Sequence, residues 1–311
     1  MEEPEFTAKA IESMEIRGAG RIARSAARSL AEVAKKYEGD NLEEHMAKVA
    51  KRLLSTRPTA VSLYNAVCYT LRGIEETNNQ LEAKHLLISN AEKFIKTSEE
   101  AVDKIAGIAS RRIPENSRVL THCNSTAAVR SIIKAFENGK LEMAYCTESR
   151  PKRQGFITAK ELIEAKVPVT MIVDSAVRYT MPKIDMVVVG ADTICSNGTV
   201  VNKIGTSQVA LCAKEARVPV TVCAESYKFS PMTMDGERVG IEERSPNEIT
   251  DPSKVPSLGL FNPVFDFTPP EHVDAVVTEL GVMSPHSAYE FILREFGEYT
   301  SSKDMLWNGK R

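Results

Sequence analysis

From residue 118 onward, short runs of apolar, β-branched residues alternate with longer amphipathic stretches, and this alternation constrains the fold more than any other feature. The run at 186–189 is Met-Val-Val-Val, which has the length of a buried strand. Strands that alternate with amphipathic helices pair in parallel, so the pattern predicts a Rossmann-like, doubly wound, mostly parallel sheet. Strands are predicted at 118–123, 142–147, 168–174, 186–191 and 219–224, and helices at about 125–137, 157–165, 206–215 and 287–295.

The first part of the chain, to about residue 112, has apolar residues at helical spacing and no strand pattern. Pro114 would end the last of these helices, and a strand pattern follows directly. The sequence therefore predicts an α/β protein with an N-terminal helical domain at 1–113 and a Rossmann-like catalytic domain at 114–311. Helices are predicted in the first domain at about 22–33, 42–54, 60–71 and 81–108. The Pro-rich stretch 245–271 is predicted to be a long connection, and the polar tail 300–311 is predicted to fray.

Charge and cysteine usage exclude several classes of function. The formal net charge is −2, so no overall basic field favours nucleic acid or an anionic membrane. The acidic start does not resemble a signal peptide, and no apolar run is long enough to span a bilayer. The six cysteines show no CxxC spacing and the five histidines show no ligand spacing. We therefore expect a cytoplasmic protein with reduced cysteines and no metal.

Cys123 and Asp192 each follow a predicted strand. The carboxyl ends of parallel strands form the edge at which open α/β sheets bind ligands. A thiolate can remove a proton and a carboxylic acid can supply one, which is the minimum requirement for an isomerase. Asn124 or Ser125 would cap the following helix, whose positive end would favour the thiolate. A buried structural cysteine and a turn-forming aspartate are the alternative interpretation.

Four other places combine cations with glycines or with helix starts, a combination that suits phosphate groups. They are Arg-Gly-Ala-Gly-Arg at 17–21, Arg57 before a helix, Asn-Lys-Ile-Gly-Thr-Ser at 202–207, and Lys228 after a strand. Gly190 would let a ligand approach the backbone closely, and the charged loop 148–155 could close over an anion. Taken singly, such a place is more often an ordinary capped turn or a solvated surface feature. Together they suggest a ligand with more than one phosphate.

These motifs together resemble the family that unites ribose-1,5-bisphosphate isomerases, methylthioribose-1-phosphate isomerases and the regulatory subunits of eukaryotic initiation factor 2B. The archaeal ribose-1,5-bisphosphate isomerases are the branch that the motifs resemble most. The resemblance runs from Ile16 to about Phe296. It is carried by the segments 17–20, 56–63, 121–123, 148–151, 190–192, 202–206, 224–229 and 261–266.

The resemblance implies a cofactor-free isomerase that converts α-D-ribose 1,5-bisphosphate to D-ribulose 1,5-bisphosphate in AMP degradation. It aligns Cys123 with the proton-abstracting cysteine and Asp192 with the proton-donating aspartate. Asp192 would then stay protonated near neutral pH, while Cys123 would be ionised. The implied substrate-binding residues are Arg17, Gly18, Ala19, Gly20, Arg57, Ser125, Thr126, Ala127, Asn202, Lys203 and Lys228. The resemblance also implies a homo-oligomer built on dimers and reaching a hexamer, with AMP as an activator.

Two alternatives stay open at the level of sequence. The first is the same chemistry on methylthioribose 1-phosphate, which has a thioether in place of the 5-phosphate. The second is a non-catalytic regulatory subunit that binds phosphosugars or nucleotides and contacts an initiation factor. Such subunits need not retain the Cys and Asp pair, so the presence of both residues favours an enzyme.

Overall fold

The structure, a computed structural model, describes residues 3–13, 15–16, 18–77, 79–230 and 243–296. These residues form two compact units. The first contains the described residues up to Glu100, the segment Tyr227–Phe229, and those from Glu290 onward. The second contains Ala101–Ser226 and the described part of Ser230–Tyr289. The polar tail 300–311 lies outside the described residues. Within the described ranges, no helix is both long enough and apolar enough to cross a membrane.

The first unit is helical, as the apolar spacing predicts. Alanines on one face of the second helix, among them Ala23 and Ala27, are fully buried, and small side chains of this kind allow neighbouring helices to approach closely. The fifth helix continues past Glu100 into the second unit, which begins at Ala101, and it ends before Pro114, as expected of a proline that cannot continue it. The helices are α1 (Glu3–Glu12), α2 (Ala19–Lys36), α3 (Leu42–Thr56), α4 (Val61–Leu71) and α5 (Gln80–Arg112).

The second unit is built on a mostly parallel sheet, which confirms the predicted fold class. Among the described residues, seven strands form this sheet in the order β10-β9-β7-β4-β1-β2-β3. All neighbours pair in parallel except β10 with β9. The strands are β1 (Ser117–Thr121), β2 (Leu141–Thr147), β3 (Val169–Ile172), β4 (Met186–Gly190), β7 (Val220–Cys223), β9 (Ala275–Thr278) and β10 (Gly281–Met283).

The chain reverses its direction across the sheet after β3. The strands β1, β2 and β3 proceed to one side, and β4, β7 and β9 proceed to the other. Right-handed crossovers therefore place the connecting helices on opposite faces of the sheet, and β1 and β4 flank the switch point at which such sheets bind ligands. The helices of this unit are α6 (Thr126–Glu137), α7 (Gly155–Glu164), α8 (Val177–Thr180), α9 (Thr206–Ala216) and α10 (Ala288–Phe296), which continues into the first unit.

A second, antiparallel sheet was not predicted. It contains β5 (Thr193–Ile194), β6 (Val200–Lys203) and β8 (Phe265–Thr268), in that order. The prediction of an unstructured connection at 245–271 is therefore wrong at its end, because β8 pairs there with β6. These strands escape detection because they are short, and because β8 follows a Pro-rich stretch that is typical of loops.

Gly190, the last residue of β4, lies against the start of α6. A methyl group added at Gly190 would overlap the Oγ and Cβ atoms of Ser125. The expectation that a ligand approaches the backbone here is therefore wrong, because a side chain of the protein fills the space. Ser125 is the N-cap of α6, and its Oγ accepts a hydrogen bond of 3.4 Å from the backbone N–H of Ala128.

We predict that Gly190→Ala destabilises the protein by about 1–3 kcal/mol, because the added methyl displaces the cap of α6. Gly107→Ala is the matched control. Gly107 lies inside α5, and in the described part of the chain no atom from beyond its own stretch of helix lies within 4 Å of the position that a methyl would take. This second change should stabilise the helix by about 0.5–1 kcal/mol. Urea unfolding, followed by circular dichroism, measures the change in the free energy of unfolding of each variant. Equal changes in the two variants would contradict the proposed overlap.

Candidate active site

Cys123 and Asp192 lie at the carboxyl ends of neighbouring strands. β1 ends at Thr121 and β4 ends at Gly190, and each candidate residue follows two positions later. β1 and β4 pair directly, with Val119 opposite Met186. The structure thus places both residues at the carboxyl edge of the sheet, as predicted, and shows that they lie at its switch point. Asp192 is held at its backbone, where its N–H donates to the carbonyl of Val201 on β6 at 2.9 Å.

The backbone of Cys123 has a left-handed conformation, with φ of 65°. This conformation costs a non-glycine residue roughly 1–2 kcal/mol, so neighbouring groups must hold it in place. The N–H of Cys123 donates to Ser149 Oγ at 2.8 Å, and its carbonyl accepts from Thr158 Oγ1 at 2.7 Å. Both hydroxyl-bearing residues are buried. The loop after β1 is therefore anchored on either side of the thiol.

The predicted ionisation of Cys123 is wrong in direction. Ser125 caps α6 as expected, and the backbone N–H of Asn124 favours the thiolate. Burial acts more strongly, however, and raises the pKa of the Cys123 thiol from 9.0 to about 11. The negative charges of Asp192 and Asp174 add to this increase, whereas the positive charge of Lys203 opposes it. At neutral pH the sulfur therefore carries its proton.

Lys203 belongs to the same site as the thiol and the carboxylate. It ends β6, which pairs with β8, and its Nζ lies 5.2 Å from the centre of the Phe265 ring. Burial lowers the pKa of Lys203, while Cys123 and Asp192 raise it. The structure thus brings Cys123, Asp192 and Lys203 within electrostatic range of one another. The neutral form of Asp192 stays a prediction.

The start of α9 differs from the expected phosphate site. Asp266 Oδ2, on β8, accepts hydrogen bonds from the backbone N–H groups of Gly205 at 2.7 Å and Ser207 at 3.1 Å. A carboxylate of the protein therefore already occupies the helix end, and burial raises its pKa to about 6. Asn202 bonds Thr206 Oγ1 at 3.0 Å. A phosphate at this edge would consequently depend on Lys203 rather than on the amides of α9.

The loop 148–155, which follows β2, contacts Glu248 and Ile249. Arg150 donates to the carbonyl of Ile249 at 3.3 Å, and Lys152 pairs with Glu248 at 3.1 Å. Glu248 is also 3.6 Å from Arg244, whose charge acts on Lys203. Arg244 was missed at the level of sequence because it stands alone in a stretch without a motif. Whether this loop closes over an anion stays a prediction.

The remaining predicted substrate-binding residues lie in two places. Ser125, Thr126 and Ala127 form the start of α6 beside Cys123. The first unit contains Gly18, Ala19, Gly20, Arg57 and Lys228; Arg17 lies outside the described residues.

Two of the residues in the first unit have local features that fit a binding role. Gly18 is the N-cap of α2 with φ of 88°, a conformation that favours glycine. Lys228 is buried, and Asn65 holds its neighbours by donating to the carbonyls of Tyr227 and Phe229, each at 2.8 Å. Among the described residues, no group of three metal-ligating side chains could hold a metal ion.

Comparison with known proteins covers nearly the whole chain. A model of the Initiation factor 2 subunit family matches residues 15–285. The chain is 50% identical over 299 residues to the ribose 1,5-bisphosphate isomerase of Archaeoglobus fulgidus, covering 96% of this chain and 95% of that protein.

Two solved structures from Pyrococcus horikoshii OT3 share the fold. The translation initiation factor eIF-2B superposes with a TM-score of 0.80 at 28% identity, covering 92% of this chain and 98% of the other. The 5-methylthioribose 1-phosphate isomerase superposes with a TM-score of 0.78 at 30% identity, covering 95% and 88%. One fold thus accommodates both an enzyme and a translation factor, so the site must decide between them.

We predict that iodoacetamide alkylates Cys123 with a midpoint near pH 11, because the thiolate is the reactive form and burial raises the thiol pKa to about 11. Lys203→Met should slow the alkylation at neutral pH, where the lysine is charged and its cation stabilises the thiolate. Mass spectrometry of the Cys123 peptide across a pH series measures both the midpoint and the rate at neutral pH. Lys160→Met, at an exposed position on α7, is the matched control and should leave both quantities unchanged. A midpoint below pH 9 in the native protein would contradict the assignment.

Proposed function

The chain belongs to the Initiation factor 2 subunit family and is an isomerase, and we propose that its substrate is α-D-ribose 1,5-bisphosphate, which it converts to D-ribulose 1,5-bisphosphate in AMP degradation. This proposal is carried by one observation: the thiol of Cys123 and the carboxyl group of Asp192 follow the ends of adjacent strands. Lys203 is close enough to interact with the charges of both groups. The 50% identity to an isomerase of this name over nearly the whole chain supports it.

A sugar phosphorylated at C1 has no free anomeric hydroxyl, so its ring cannot open in the ordinary way. In the proposed reaction Cys123, as thiolate, removes the proton from C2 while the bond between C1 and the ring oxygen breaks. Asp192 gives its proton to that oxygen, which leaves an enol with the phosphate still on C1. The enol hydroxyl then returns a proton to Asp192, and Cys123 gives its proton to C1. The ketose forms and both side chains regain their starting states.

The raised thiol pKa sets a condition on this mechanism. With a pKa of about 11, about one thiol in ten thousand is ionised at pH 7. A typical turnover of about 10 per second would then require the ionised form to react at about 10⁵ per second, a barrier of about 11 kcal/mol. Positioned acid and base groups in a buried site can lower the barrier to this height. The reactive enzyme is therefore the minor form with a thiolate at Cys123, and the proposed mechanism requires Asp192 to be neutral in that form, which removes one of the charges that raise the thiol pKa.

The substrate's two phosphates would bind to the cationic and amide-rich segments. We assign this role to Arg17, Gly18, Ala19, Gly20, Arg57, Ser125, Thr126, Ala127, Asn202, Lys203 and Lys228. AMP is the proposed activator, and the proposed assembly is a cytoplasmic homo-oligomer built on dimers and reaching a hexamer. The direct test is an assay of purified protein with ribose 1,5-bisphosphate, with and without AMP, that detects ribulose 1,5-bisphosphate. Absence of turnover under both conditions would overturn the proposal.

We predict that Cys123→Ser and Asp192→Asn each lower kcat by about a hundred- to ten-thousandfold, because each removes one proton-transfer group. Circular dichroism should show that both variants fold. Cys212→Ser is the matched control, since Cys212 is a partly exposed thiol on α9, and it should keep native turnover. Near-native turnover in Cys123→Ser would show that another group is the base.

We also predict a preference for the bisphosphate over methylthioribose 1-phosphate. Several cations lie at the edge of the second unit, including Lys152, Lys203 and Arg244, and they favour a second phosphate over a thioether. Measuring kcat/KM for both substrates tests this preference. A higher value for the thioether would identify the protein as a methylthioribose-1-phosphate isomerase. Turnover of neither substrate, together with retention of an initiation factor in a pull-down, would favour a regulatory subunit.

A further inference from the structure

A line of hydrogen bonds, buried in its middle and partly buried at its two ends, connects the Cys123 loop to the turn that follows Lys203. The N–H of Cys123 bonds Ser149 Oγ at 2.8 Å, and Ser149 Oγ lies 3.0 Å from Thr147 Oγ1. Thr147 Oγ1 lies 2.6 Å from His122 Nδ1, and His122 Nε2 lies 2.8 Å from the carbonyl of Ile204. His122, Thr147 and Ser149 are all buried. We call this line, from Ile204 through these three side chains to Cys123, the His122 chain.

The direction of each bond in the His122 chain follows from its two ends. A carbonyl only accepts, so Nε2 of His122 must carry a hydrogen and donate to Ile204. Burial lowers the pKa of His122 and keeps the ring neutral, so Nδ1 has no hydrogen and accepts from Thr147. Thr147 has then used its hydrogen, so Ser149 donates to Thr147. Ser149 Oγ is left as the acceptor for the Cys123 N–H.

Both ends of the His122 chain lie at groups that the proposed reaction uses. One end is the backbone of Cys123, and the other is the residue directly after Lys203. Gly205 follows with φ of 102°, and a methyl group there would lie 2.9 Å from Cε1 of the His122 ring. The ring therefore packs against the same turn to which it is hydrogen-bonded. Lys203 acts on the charge of the Cys123 sulfur, so the chain joins the backbone of the thiol-bearing residue to the turn that follows the cation.

The middle of the His122 chain is itself held firmly. Ser149 has a left-handed backbone with φ of 58°. Its N–H donates to Asp174 Oδ1 at 2.9 Å, and its carbonyl accepts from the N–H of Arg153 at 2.8 Å. The serine hydroxyl therefore has a fixed position from which it can orient the Cys123 loop. If Ser149 only filled space, its backbone would not need to be held by these two hydrogen bonds.

We propose that His122 is a positioning residue that, through Thr147 and Ser149, holds the thiol of Cys123 in register with Lys203 for proton transfer. The kinetic consequence of this positioning role rests on the proposed function, whereas the effect of His122 on the thiol does not. His122 touches no reacting atom in this role. It acts through the Cys123 backbone on one side and the Lys203 turn on the other.

The test removes one hydroxyl from the middle of the chain. Thr147→Val keeps the shape of the side chain and loses the hydrogen bonds, while Thr147→Ser keeps the hydroxyl. Thr221→Val is the matched control, because Thr221 is a buried threonine on β7 of the same sheet whose hydroxyl has no hydrogen-bond partner among the described residues. We expect Thr147→Val to lower kcat roughly a hundredfold, the loss that small misplacements of reacting groups produce. KM should stay within about threefold, because ground-state binding is unchanged.

The conservative variants complete the kinetic test. Thr147→Ser should recover most of the native kcat, and Thr221→Val should keep it. His122→Asn retains an acceptor near the position of Nδ1, so it should be more active than His122→Ala. Native kcat in a folded Thr147→Val variant, or an equal loss in Thr147→Ser and Thr147→Val, would overturn the proposal.

The pH profile of Cys123 alkylation separates this proposal from the proposed function. Thr147→Val should loosen the loop, expose the sulfur to water and move the alkylation midpoint down from about 11 toward the ordinary value of 9.0. Thr221→Val and Thr147→Ser should leave it in place. If the native protein fails to isomerise ribose 1,5-bisphosphate but the midpoint moves, the proposed function fails and the positioning role stands. An unchanged midpoint in folded Thr147→Val refutes the positioning role, whatever the substrate.

Discussion

The direct pairing of β1 with β4 is the constraint on which the site depends. In a parallel sheet all strands end at the same edge, and the chain must reverse its direction of progress somewhere along that edge. Here it reverses between β3 and β4, so the strands that precede Cys123 and Asp192 become neighbours. Apolar side chains cover both faces of these strands, and their burial fixes the register. The relative position of the thiol and the carboxylate is therefore set by the hydrophobic core rather than by a flexible loop.

The left-handed backbone at Cys123 carries a further cost that the site must offset. Hydrogen bonds from buried groups are each worth about 0.5–1.5 kcal/mol net, so the two bonds to the Cys123 backbone are comparable with the strain of roughly 1–2 kcal/mol. The loop is thus held in one conformation without large surplus stability. Loss of one bond would leave the strain largely unopposed, and it would also leave a buried polar group without a partner. This balance explains why two buried hydroxyl groups, those of Ser149 after β2 and of Thr158 on α7, both bond the backbone of Cys123.

Much of the fold could be predicted from the sequence, because hydrophobic periodicity reports directly on buried faces. The five predicted strands and the helix that starts beside Cys123 follow from such periodicity. The prediction failed where structure depends on partners distant in sequence. β8 is a strand only because β6 lies beside it, and Asp266 caps α9 only through that pairing. His122 lies in the 121–123 segment that carries the family resemblance. Its role could not be predicted from the sequence, which does not show that Thr147 and Ile204 lie within hydrogen-bonding distance. The thiol pKa was predicted in the wrong direction because a helix end is visible in the sequence, whereas the degree of burial is not.

The raised pKa of Cys123 also has a consequence for the lifetime of the site. The thiolate, not the thiol, reacts with oxidants and electrophiles, so a cysteine that keeps its proton at neutral pH is protected from them. A base with a high pKa is also a stronger base once it is ionised, which partly compensates for the small fraction present. The charge of Lys203 lowers the thiol pKa that burial raises, and so keeps the ionised fraction of Cys123 from falling further. Burial and the lysine therefore act in opposite directions on the same sulfur. Their balance determines both how rarely the base forms and how strongly it acts when it does.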